Sequence, residues 1–160
     1  MLLSLTRMVS SHYLPHNQSL HVILQFQYRG TFVTFALRIY RAYTGDAVDY
    51  KMILLGTNNN CSGGKTPWNT FLSCEEIEGG GVWEVSPFGD HEPKKTSIGG
   101  QDGGKFESSA CDNRDPSNPQ FFVTEDAPRG ALRRFIPDAT ALKKAKENDD
   151  YWYVFIFMRL

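Results

Sequence analysis

Short β-branched or aromatic runs recur from Tyr43 to Pro137, and each is closed by a glycine-rich or polar cluster before a helix could form. The runs are Tyr50–Leu55, Trp68–Ser73, Val82–Val85, Gln120–Thr124 and Ala131–Ile136. Strands of this length and spacing close into a sandwich, a barrel or a propeller. The chain therefore reads as all-β. Before it, Leu20–Tyr28 and Thr31–Tyr40 flank Arg29-Gly30, a tight-turn pair, and read as a hairpin. After it, Asp138 stands as an N-cap ahead of Ala139, Ala141, Leu142 and Ala145, which predicts a short helix through Glu147. The apolar run Tyr151–Met158 reads as a last strand in need of cover.

Composition narrows the partners. A formal net charge of -1 leaves no basic surplus for nucleic acid. No apolar run reaches the roughly 18 residues of a membrane-spanning helix, since Gln25, Gln27, Arg29 and Arg38 interrupt the first third. Met1–Asn17 has no continuous apolar core of a secretory leader. Three cysteines, Cys61, Cys74 and Cys111, leave at least one as a free thiol or a ligand. His12, His16, His21 and His91 lack the spacing of a zinc site.

The chemistry concentrates between Asn58 and Glu76, where a polar glycine segment leads through Pro67-Trp68 into a strand ending in two carboxylates. Gly63 and Gly64 read as turn residues. Alternation puts Trp68, Thr70, Leu72 and Cys74 on one face and Asn69, Phe71, Ser73 and Glu75 on the other, so Glu75 and Glu76 diverge unless the strand ends between them. A thiolate beside carboxylates is a mixed soft and hard donor set suited to a transition metal. The same residues also fit a glycine segment feeding a core strand with Cys74 as a small hydrophobe and solvated glutamates.

The pattern Cys-x-Gly-Gly-x-Thr-Pro-Trp-x-Thr-x-x-x-Cys-Glu-Glu, from Cys61 to Glu76, resembles the motif of PhoX-type alkaline phosphatases. Gly81–Pro87, Phe121–Asp126 and Gly130–Pro137 follow in that family's order, and Asp49–Gly56 fits upstream. The resemblance implies a β-propeller of about six blades with iron and calcium in its central channel and phosphate monoesters as substrates. It also implies that Cys61 and Glu76 bind iron, and it makes Glu125 and Asp126 candidate ligands for a hard ion such as calcium.

One block departs from the family. Where it carries Gly-Arg-Phe-x-His-Glu-Ala with an iron-binding glutamate, this chain has Gly104-Lys-Phe-Glu-Ser-Ser-Ala110. Glu107 lies on the same strand face as the lost carboxylate but about 6 to 7 Å along it, so a bulge or shift is needed for Glu107 to serve. Blades take about 40–50 residues, so the chain holds roughly three. The expected organisation is 1–43 as N-terminal strands, 44–137 as the propeller segment and 138–160 as helix and terminal strand. Three readings result: a truncated or diverged metal-binding relative of the phosphatases, a non-catalytic propeller module that associates through open sheet edges, or a secreted, active phosphatase assembled from more than one chain. The resemblance points to a secreted or periplasmic setting.

Overall fold

The structure, a computed structural model, describes residues 6–8, 19–28, 31–40, 47–152 and 154–156, with side chains from residue 51 onward except 156. Three antiparallel meanders follow one another along the chain. The first pairs β1 (Thr6–Met8), β2 (Ser19–Tyr28), β3 (Thr31–Tyr40) and β4 (Ala47–Thr57) in that order. The second pairs β5 (Asn60–Lys65), β6 (Phe71–Glu75), β7 (Val82–Val85) and β8 (Lys94–Lys95). The third pairs β9 (Phe106–Asp112), β10 (Gln120–Glu125) and β11 (Leu132–Phe135). Among the described residues the chain is mostly β with one short helix, and none of the three sheets closes on itself.

The expected hairpin is β2–β3, in register from Ser19 opposite Tyr40 to Tyr28 opposite Thr31. In β6 every residue is buried, because its two faces pack into different cores. Leu72 and Cys74 join Val82, Ile98, Phe106, Phe121, Val123, Phe135 and Phe155. Phe71 joins Ile53, Leu54 and Val85 on the other face. Fully burying a side chain such as Phe106, Phe121 or Phe155 contributes about 1.5–3 kcal/mol, which makes the first cluster the main link between the second and third sheets.

The helix α1 (Ala139–Asn148) starts where the sequence places it: the Asp138 carboxylate accepts from the Thr140 and Ala141 amides at 3.0 Å each. Its Leu142 and Ala145 pack with Val154, Trp68 and Tyr151.

Two expectations are corrected. Gly63 and Gly64 lie inside strand β5 and not in a turn; the turn is Thr66–Thr70, closed by the Thr66 amide donating to the Thr70 carbonyl at 2.9 Å. Both glycines are required by close packing, since a Cβ on Gly63 would sit 1.7 Å from the Leu72 carbonyl oxygen and one on Gly64 would sit 2.3 Å from that of Ser109. The expected terminal strand is replaced, in its described part, by a 3-10 turn at Val154–Ile156; residues 153, 157 and 158 lie outside the described residues. The reason is packing. Phe155 drops between Trp68 and Phe121, with ring centroids 5.2 and 4.9 Å away. Its carbonyl accepts from the Ser97 amide and hydroxyl, so the backbone is satisfied without a ladder.

Candidate metal centre

Cys61, Glu76 and Glu107 come from three places, the start of β5, the residue after β6 and the start of β9, and their ligand atoms lie within 4.8 Å of one another. The Cys61 thiol donates to Glu107 Oε1 at 3.2 Å. All three residues are half-buried.

Two irregularities aim these side chains. On β5 the three steps from Asn60 to Gly63 are matched by two on β6, from Glu75 to Ser73, so the segment holding Cys61 and Ser62 bulges. On β9 the two steps from Phe106 to Ser108 are matched by one on β10, from Glu125 to Thr124, which makes Glu107 the extra residue of a second bulge. A bulge bends its strand and redirects a side chain that regular alternation would send elsewhere. The irregularity needed for Glu107 to approach Cys61 is therefore present.

Glu76 and Glu75 diverge. Glu75 is buried and accepts from the Asn58 amide (2.8 Å), the Gly81 amide (2.9 Å) and Trp83 Nε1 (3.0 Å), which pins the loop after β6. Glu76 is oriented by its backbone: its amide donates to the Asn59 carbonyl at 3.0 Å, its carbonyl accepts from Asn59 Nδ2 at 2.8 Å, and it bridges to Lys105. The Lys105 carbonyl in turn accepts from the Asp126 amide at 2.9 Å, which brings Asp126 beside Glu76.

Burial and mutual repulsion shape the electrostatics of the cluster. Burial first, then the hydrogen bond and charge of Glu107, then those of Glu76, push the Cys61 thiol up to about 12. Burial also raises Glu76, and Asp126 and Glu107 add to the rise against the lowering hydrogen bond from Cys61. A cation among these groups would remove the repulsion.

Glu125 is placed differently. It forms an ion pair with Arg133 and accepts from the Ala131 amide at 3.1 Å, while Arg133 also donates to the Gly99 carbonyl at 2.6 Å. Its carboxylate therefore pins β11 and the Gly99 loop. Cys74 is fully buried in the main core, its thiol pushed up to about 12 chiefly by burial. His91 stacks on Trp152 at 4.7 Å.

Donor chemistry supports a fit to a metal. With bonds of about 2.0–2.4 Å, two donors on one cation lie at most about 4.8 Å apart, and one sulfur with two carboxylates suits iron better than magnesium.

A second polar network escaped the sequence reading. Glu84 is fully buried in β7, where it accepts from Trp68 Nε1 (2.8 Å) and Thr70 Oγ1 (2.6 Å) and pairs with Lys94 at 3.2 Å. Its signal was available, since Glu84 shares the alternation parity of the core residue Val82. The network lies toward the Thr66–Thr70 turn, at the other end of β5 and β6 from Glu76. A cleft of about 520 Å³ opens beside that turn and α1, but Trp68 stacks on Tyr151 and His91 on Trp152, so these aromatic faces are already used for packing.

Among known proteins, residues 44–108 match the family model described as alkaline phosphatase PhoX, about two fifths of the chain. The matched segment contains Cys61, Glu76 and Glu107. No curated protein and no solved structure matches the chain.

Proposed function

We propose that this chain, whose residues 44–108 match the alkaline phosphatase PhoX family model, is a metal-binding relative of the phosphate monoester hydrolases, with its three meanders as diverged propeller blades. The observation that carries this reading is the convergence of Cys61, Glu76 and Glu107 within 4.8 Å from separate strands. Sequence neighbours alone would not produce it.

In this reading Cys61 and Glu107 supply the soft and hard donors for iron, and Glu76 closes the set. Asp126, beside Glu76, extends the carboxylate surface toward a calcium ion. Bound there, the cations would offset charge on the phosphoryl oxygens of a monoester and act as Lewis acids. The chain's own residues orient the donors: Asn59 fixes the backbone of Glu76, Glu107 holds the Cys61 thiol, and the Glu125–Arg133 pair steadies the segment leading to Asp126.

A second reading, a non-catalytic module that pairs through a sheet edge, draws support from β11. This strand ends its sheet and exposes 68% of Leu132.

The test is to load the purified chain with iron and calcium, measure bound metal by elemental analysis, and follow hydrolysis of p-nitrophenyl phosphate beside Cys61→Ser. Iron bound at one per chain with Cys61-dependent turnover supports the phosphatase reading. Iron without turnover leaves a binding protein, and neither iron nor turnover removes the metal reading.

A further inference from the structure

Strands β5 and β9 belong to different sheets, yet they meet rung by rung beside the candidate metal centre. Cys61 Sγ reaches Glu107 Oε1 at 3.2 Å, and the very next residues, Ser62 and Ser108, join their hydroxyls at 3.1 Å. Gly64 then presses on the Ser109 carbonyl. Consecutive residues of a regular strand point to opposite faces. In neighbouring regular strands consecutive pairs alternate between the two faces; here both strands bulge where the two pairs meet.

We propose that Ser62 and Ser108 are positioning residues: their hydroxyl contact clasps the two bulges together and thereby holds Cys61 and Glu107 aimed at one another. The contact does not depend on a cation, although its consequence for cation binding rests on the reading above. It also assigns a role to Ser108, which stands where the resembled phosphatases carry histidine. Here the position holds the strand that presents Glu107. A bulge leaves its extra residue without a ladder partner, so a side-chain contact next to it decides which way that residue points.

The experiment has two arms, applied to Ser62→Ala, Ser108→Ala and Ser108→Thr. In the first, crystal structures of the metal-free chain are compared. The alanine variants are expected to separate Cys61 Sγ from Glu107 beyond hydrogen-bond distance, and Ser108→Thr, which keeps a hydroxyl, is expected to restore the contact. In the second, cobalt(II) is titrated in and the thiolate-to-metal absorption is recorded. Either alanine variant should weaken cobalt affinity about tenfold or more and diminish that absorption, with an unchanged thermal midpoint, while Ser108→Thr should stay near the parent. An unaltered Cys61–Glu107 contact in both alanine variants would overturn the proposal. Parent protein that takes up no cobalt would sink the metal reading alone, and the crystal arm would still decide the clasp. Should Ser108→Ala not fold, Ser62→Ala cuts the same contact from the other strand.

Discussion

At the scale of the residue, the Cys61 thiol and the Glu76 carboxyl are both held toward their neutral forms, chiefly by burial. The Cys61 thiol sits near 12, so at neutral pH a cation must displace its proton. Apparent cation affinity should therefore rise with pH across the neutral range, by about tenfold per pH unit for the one proton released; cobalt titrations at pH 6.5, 7.5 and 8.5 check this. The sign for metal-free stability is the opposite. Cys61 and Cys74 are raised to about 12 and Cys111 to about 11, against an ordinary 9.0, so the folded state holds their protons more tightly than the unfolded state does. Their contribution is complete below pH 9 and is lost as pH rises through 11 to 12. Thermal midpoints of the metal-free chain should fall between pH 8.5 and 10.5. Away from the centre, Glu84 and Lys94 form a pair whose carboxylate is fully buried. Burial raises Glu84 and lowers Lys94, each against the other's charge. Removing one partner strands the other, and Lys94→Met should cost about 3–5 kcal/mol by urea denaturation.

At the scale of the element, strand β5 carries both the thiol and the tightest packing. A Cβ on Gly64 would lie 2.3 Å from the Ser109 carbonyl oxygen, so Gly64→Ala must push β5 and β9 apart. A destabilisation of about 1–3 kcal/mol is expected, together with weaker cobalt binding, because the same two strands present Cys61 and Glu107. Asp138→Ala separates the two effects. It removes the cap of α1 at a cost of about 1 kcal/mol and should leave cobalt affinity unchanged, since the helix packs on Trp68 and Tyr151 at the other end of β5 and β6.

Elements also show what the sequence could reveal. β7 spans Val82–Val85 as read, and β2, β3, β10 and α1 lie within two residues of their expected ends, because alternation, turn pairs and a capping aspartate are local signals. Strand β5 was hidden, since Gly63 and Gly64 carry no strand propensity and their requirement comes from carbonyls of β6 and β9 distant in sequence. Phe155 was misread for a related reason. An apolar run signals burial, but whether it is buried as a ladder strand or as a turn depends on the space left between Trp68 and Phe121.

At the scale of the molecule, three meanders in chain order place the first strand of the second sheet against the first strand of the third, with the donors in that seam. Alternation makes Glu75 and Glu76 diverge only within a continuing strand, and β6 ends at Glu75, so the direction of Glu76 comes from its backbone contacts with Asn59 and Lys105. The approach of Glu107 was legible only as a condition, a bulge that had to exist, because bulges follow from pairing partners and not from local sequence. The Glu125–Arg133 pair was not legible, since it joins two neighbouring strands of a hairpin whose pairing register local sequence does not set. The three side chains come from separate elements of the second and third sheets, so a cation held in the proposed centre should be released when either sheet unfolds.

The most direct test is a cobalt(II) titration of the metal-free chain beside Cys61→Ser, followed by thiolate-to-metal absorption. Saturation at one equivalent, with the absorption abolished and affinity reduced about 100-fold in the variant, is the expected result. Cobalt bound without thiolate absorption, or bound equally by Cys61→Ser, would contradict a centre built on Cys61, Glu76 and Glu107.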